Sequence, residues 1–132
     1  PELTFGADII TGFPTETALM FKNSIELINE CNLTWLHIFP FSARAGTPAS
    51  RMPPVNGAEI KKRSHKLRTL GQSKVTKYLD TVLGKKHAVL IEGNGKGRTE
   101  AFAEVIVDPN IQAGIIKKLI AHNHNGSQLI CS

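Results

Sequence analysis

The chain has 132 residues, 41% hydrophobic and 20% charged, which fits one ordinary globular domain or two small ones and excludes a disordered chain. Sixteen Lys and Arg against eleven Asp and Glu leave a formal net charge of +5, which favours a polyanionic partner. No apolar run approaches the ~18 residues of a membrane span, no signal-peptide pattern opens the chain, and Cys31 and Cys131 have neither metal-knuckle nor disulfide spacing. The expectation is a cytoplasmic protein with no membrane partner and reduced thiols, Cys31 packed in a helix and Cys131 at the core or edge of a last strand.

Thr4 to Thr11 reads as a buried parallel strand, because Phe5, Ala7, Ile9 and Ile10 form a nearly continuous apolar run that stops at Gly12-Phe13-Pro14. Thr15 is the expected N-cap of the next helix, with Glu16 in its first turn at the positive end of the helix dipole. Ala18, Phe21, Ile25 and Ile28 recur at helical spacing and predict one buried stripe. After a polar turn at Asn29 to Thr34, Trp35, Leu36, Ile38 and Phe39 predict a short interior strand whose pairing ends at Pro40. Two parallel strands do not complete a sheet buried on both faces, so an amino-terminal part is expected beyond Pro1, which reads as a cut within an ongoing strand.

Ser42 to Pro54 holds three prolines, Gly46 and two arginines, predicting an irregular loop at a strand's carboxyl end, where α/β folds place chemistry. Val55 to about Leu83 predicts one long helix, or two broken near Gly71, with Ile60, Leu67, Leu70, Val75, Tyr78 and Leu79 on its apolar side. Lys61, Lys62, Arg63, Lys66, Arg68, Lys74 and Lys77 lie between Glu59 and Asp80 with no acid among them, either a footprint for RNA or a solvated face. From Gly84 onward the pattern becomes His87 to Glu92, Arg98 to Val107, Gly114 to His122 and Ser127 to Cys131, separated by turns that twice contain Asn-Gly. This predicts a small antiparallel barrel.

The run Asp8-Ile9-Ile10-Thr11-Gly12-Phe13-Pro14-Thr15-Glu16-Thr17 resembles the DIIxGFPxET signature of radical S-adenosylmethionine (SAM) methylthiotransferases, and the run Leu36 to Pro48 resembles their HxFPxSxRxGTPA signature. Within that family the MtaB branch is the nearest in wording, and the barrel, with Val89-Leu90-Ile91-Glu92 and Gly97-Arg98-Thr99, resembles a TRAM domain. The resemblance implies an α/β plus all-β chain: the C-terminal βα portion of a radical SAM, TIM-like barrel over 1–70, a helical connector over 71–83, and an antiparallel OB-like TRAM barrel over 84–132. It implies a tRNA methylthiotransferase that adds a methylthio group to C2 of N6-threonylcarbamoyladenosine beside the anticodon, or to the isopentenyladenosine of the MiaB branch. The implied partners are tRNA, SAM and the amino-terminal domains of the same protein; the implied cofactors of the intact enzyme are SAM and two 4Fe–4S clusters. The family's CxxxCxxC cluster ligands do not occur here, so the chain alone is expected to hold no cluster and to have no catalytic residue.

By the same resemblance Asp8, Gly12, Glu16 and Arg44 lie at the SAM site, with glycine admitting the cofactor to the backbone, acids accepting from ribose or amino groups, and the Arg44 fork suiting a carboxylate or phosphate. Asp8 has a rival role as an acid paired within the barrel, and Ala43 and Ala45 stand where many relatives have proline. Lys85, Lys86, Lys96, Arg98, Lys117 and Lys118 are the candidate RNA contacts, placed for phosphates rather than base edges. Phe102 is the one non-histidine aromatic after Tyr78, so stacking should be scarce and RNA binding by the barrel weak and salt-sensitive. His37 reads as a strand residue with a satisfied ring, and His122 and His124 as solvated turn residues. Two other readings remain at this point: a stand-alone RNA-binding module without catalysis, and an incomplete barrel that self-associates to cover strand edges.

Overall fold

The computed structural model describes residues 3–132 and divides into two compact units, Phe5–Gly71 and Gln72–Ser132, with Leu3 and Thr4 grouping with the second. Each is described by itself.

In the first unit, β1 (Gly6–Thr11) and β2 (Trp35–Pro40) pair in parallel across α1 (Ala18–Glu30), and α2 (Gly57–Val82) begins after the second loop. Phe21 and Ile28 of α1 and Leu67 of α2 form the core, with Ile9, Leu36 and Ile38 packed against them. The helices thus cover the strand face bearing Ala7 and Ile9. The opposite face is open: Asp8 faces across to His37 and Ile10 to Phe39, and Ile10 and Phe39 are 53% and 51% exposed. This corrects the buried-strand expectation, because the apolar run Ile9-Ile10 straddles the pleat, one side chain per face.

Several local expectations shift for identifiable reasons. Thr17, not Thr15, caps α1, its hydroxyl accepting from the Met20 N–H at 3.2 Å, while Thr15 takes a left-handed φ of 73°. Ala18 is exposed, so the buried stripe of α1 narrows to Phe21, Ile25 and Ile28. Pairing does not stop at Pro40, which aligns with Thr11 while the Phe41 N–H donates to the Thr11 carbonyl at 2.8 Å. Within the second loop, Thr47 caps a short 3-10 helix, Pro48–Arg51, that opens on proline. Helix α2 is unbroken at Gly71, where the missing side chain lets Leu36 approach. Cys31, expected packed, is exposed at the carboxyl cap of α1.

The second unit comprises the end of α2 and a closed five-stranded barrel of β3 (Lys86–Gly93), β4 (Lys96–Thr99), β5 (Glu104–Ile106), β6 (Ile116–His124) and β7 (Leu129–Cys131), in the order β3-β4-β5-β7-β6. All pairs are antiparallel except β5 and β7, which run parallel because β7 returns between β5 and β6. That corrects the all-antiparallel expectation and gives the Greek-key order of an OB-like barrel. Arg98 to Val107 proves to be two strands, reversed at a turn where Phe102 has a φ of 73°. Asn94 and Gly95 both have positive φ, 55° and 74°, as the tight β3–β4 hairpin requires. Val89, Ile91, Val105, Leu119, Ala121 and Leu129 fill the barrel, each at most 5% exposed. Among the described residues no buried side-chain polar atom is without a partner, and no helix is long and apolar enough to cross a membrane.

Candidate cofactor loop and nucleic-acid interface

At the carboxyl end of β1 the chain turns at Gly12, whose φ is 74° and whose missing Cβ would lie 2.2 Å from Cγ1 of Ile60. Glycine is needed here for packing against α2, whatever ligand approaches. Glu16 folds back so that Oε1 accepts from the Gly12 N–H at 3.1 Å and from Nη1 of Arg63 at 2.7 Å. Arg63 also donates to the Glu16 carbonyl at 3.1 Å and to Oε1 of Glu59 at 3.2 Å, with its guanidinium 5.6 Å from the Phe21 ring centroid. Burial alone would lower the Arg63 pKa, but the hydrogen bonds to Glu16 and Glu59 outweigh it and raise it above the ordinary arginine value. Ser64, also buried, shares a hydrogen bond with the Thr11 hydroxyl.

Glu16 is therefore not a first-turn helix acid; it is the carboxylate around which the loop is built. Arg63, counted among seven surface cations, is buried and leaves six on the helix. The two motif loops meet through Phe13 and Phe41, ring centroids 5.5 Å apart and nearly perpendicular. Asp8 lies in mid-strand on the open face beside His37, and Arg44 is exposed on the second loop, its backbone carbonyl accepting from the Thr47 hydroxyl at 2.7 Å. Neither side chain has a hydrogen bond or ion pair among the described residues, and His37 is equally uncommitted. The structure thus joins Gly12 to Glu16 directly and leaves Asp8 and Arg44 available. Sequence reasoning missed Arg63 and Ser64, although Glu59 four residues before Arg63 was a readable pairing signal.

On the barrel, Lys85, Lys86, Lys96, Lys117 and Lys118 are exposed and make no ion pair among the described residues. Arg98 differs. Its Nε donates to Oε1 of Glu92 at 3.1 Å and its Nη2 to Oε1 of Glu104 at 3.4 Å, and its guanidinium lies 4.6 Å from the Phe102 ring centroid. His124, expected solvated, is 14% exposed: its Nδ1 accepts from the Gly126 N–H at 2.9 Å, so the Nε2–H donates to Oδ1 of Asp80 at 2.6 Å. His122 pairs through Nε2 with the Ser132 hydroxyl. Among the described residues no group of three or more His, Cys, Asp or Glu could hold a metal ion.

No protein-family model matches the chain. The threonylcarbamoyladenosine tRNA methylthiotransferase MtaB of Rickettsia prowazekii is 46% identical over 118 residues, covering 89% of this chain and 28% of that protein. Over most of its own length the chain is similar to one part of the tRNA methylthiotransferases. A second methylthiotransferase of the family, the MtaB of Thermotoga maritima, is 38% identical over 93 residues, 70% of this chain and 21% of its own length. The tRNA-2-methylthio-N(6)-dimethylallyladenosine synthase of Buchnera aphidicola is 36% identical over 108 residues, 76% of this chain and 24% of its own. The chain therefore spans less than a third of the length of the curated relatives it matches.

Proposed function

We propose that the chain is the part of a tRNA methylthiotransferase that shapes one side of the SAM pocket and grips the tRNA, in an enzyme that adds a methylthio group to C2 of N6-threonylcarbamoyladenosine beside the anticodon. The single observation that carries the reading is the 46% identity over 89% of the chain to a protein named for that activity. We read residues 1–70 as part of the radical SAM barrel, 71–83 as a connector and 84–132 as the TRAM module. A first unit whose helices cover one strand face while Ile10 and Phe39 stand open on the other supports this, because barrel strands face outer helices on one side and a filled interior on the other.

Likeness to the methylthiotransferases implies SAM and iron–sulfur clusters in the intact enzyme. Asp8 and Arg44 fit SAM, since both are exposed and uncommitted, Asp8 able to accept from an amino or hydroxyl group and Arg44 to hold a carboxylate in its planar fork. Gly12 and Glu16 act on the loop, the Glu16 carboxylate fixing its backbone through Gly12 while Arg63 anchors that carboxylate to α2. SAM, when bound, supplies the methyl group and the radical chemistry. The described residues do not fit a cluster. The exposed barrel lysines are placed for tRNA phosphates, which fix position without reading sequence.

The test is a chimera in which this chain replaces its 118 matched residues in the Rickettsia prowazekii relative, with tRNA nucleosides read by mass spectrometry. A methylthio group on N6-threonylcarbamoyladenosine is expected. A methylthio group on dimethylallyladenosine would favour the second reading, for which the 36% identity to a dimethylallyladenosine enzyme speaks. The absence of both products, from a folded chimera with its clusters and SAM bound, would contradict the proposal.

A further inference from the structure

We propose that the outer face of the barrel around Arg98 and Phe102 receives one unpaired nucleobase of an RNA, Phe102 being the ring on which it stacks. This rests on the reading of the barrel as an RNA-binding module and assigns a base, rather than a phosphate, to this spot.

Phe102 is 57% exposed at a left-handed φ of 73°, a conformation that costs energy for a bulky residue and is maintained only by its surroundings. Those surroundings are specific. The Phe102 N–H donates to the Thr99 carbonyl at 3.0 Å, the Ala103 N–H to the Thr99 hydroxyl at 3.1 Å, and the Thr4 hydroxyl to the Ala101 carbonyl at 2.9 Å. The turn so fixed carries the ring outward against the Arg98 guanidinium, 4.6 Å from the ring centroid.

Charge decides between base and phosphate. Arg98 meets two carboxylates, Glu92 and Glu104, so its immediate surroundings carry one net negative charge and repel a phosphate. What the site offers is flat and apolar. Strand register sets Leu90 beside Arg98 and Ile116 beside Leu90, and Leu90 and Ile116 are 45% and 71% exposed. The same outward face carries Lys86 and Lys118, and Lys96 precedes Arg98 by two residues on β4; all three are exposed and unpaired among the described residues. A stacking platform with cations around it matches single-stranded nucleic acid, whose bases present a π-face only when unpaired. A protein partner would leave the surrounding lysines without a role.

The test uses the 132-residue chain and an unstructured eight-nucleotide RNA carrying a single 2-aminopurine, whose fluorescence falls on stacking, titrated at low and moderate salt. Phe102→Leu should weaken binding roughly tenfold, leave the salt dependence unchanged and abolish the quench. Phe102→Trp should restore affinity and quench, which a merely structural defect would not allow. Lys86→Ala with Lys118→Ala should instead flatten the salt dependence and keep the quench. Phe102→Leu that binds and quenches like the parent, while the lysine variant weakens, overturns the stacking role alone and leaves the apolar row as a protein-docking surface. No binding by the parent chain at low salt overturns the RNA-binding reading and this inference with it.

Discussion

Nη1 of Arg63 lies 2.7 Å from Oε1 of Glu16, two side chains 47 residues apart in sequence that are 8% and 12% exposed. The pair closes the Gly12 turn against α2, since the same oxygen accepts the Gly12 N–H.

Removing one partner leaves the other charge buried, so Arg63→Met should destabilise the first unit by about 3–5 kcal/mol. Arg63→Met with Glu16→Leu should cost much less than that single change plus Glu16→Leu, because the two effects are coupled. Urea titration read by the fluorescence of Trp35, the chain's one tryptophan, reports this unit. Additive losses would mean that the pair is not the fastening.

Gly12→Ala should cost about 2 kcal/mol or more on the same assay, because alanine must adopt a φ of 74° and its Cβ meets Ile60. Adding Ile60→Ala should return only the steric part. Full recovery in the double variant would remove backbone conformation from the explanation.

Burial pushes the Cys131 thiol up to about 11, whereas Cys31 is exposed. Iodoacetamide at neutral pH should therefore modify Cys31 and spare Cys131 in the folded chain. An acid held neutral in the fold contributes stability that is fully present below its unfolded pKa. The barrel should accordingly lose stability between about pH 9 and 11, and Cys131→Val should show a smaller loss over that window. Equal pH slopes would contradict the assignment.

Phe102→Gly should raise barrel stability by about 1 kcal/mol in a thermal melt, since glycine accepts the left-handed conformation and the exposed ring loses little packing. The same variant should lose the stacking described above. Destabilisation instead would show that the ring is structural.

Much of the fold was legible because it rests on local rules: the Phe21 and Ile28 stripe at helical period, the Asn94-Gly95 hairpin and the change of pattern after Gly84. The strand faces were less so, because an apolar run such as Ile9-Ile10 does not say which of its side chains meets a helix. Glu16 illustrates the limit at the site. Its carboxylate was legible as important, but its partner Arg63 stood within a run of cations that reads as a solvent face until α2 is packed. Phe102 had no sequence signal for a positive φ, which the Thr99 hydrogen bonds impose. The parallel β5–β7 pair likewise follows from barrel closure and not from either strand's residues.

The measurement that most directly tests the central claim is titration of labelled tRNA with this chain at about 50 and about 200 mM salt, beside a Lys117→Ala and Lys118→Ala double variant. The account predicts binding that weakens steeply with salt, and a slope of log affinity against log salt reduced by about 1–2 in the variant. Absent binding at the lower salt, or binding indifferent to both salt and the lysines, would contradict the proposal that the barrel grips tRNA.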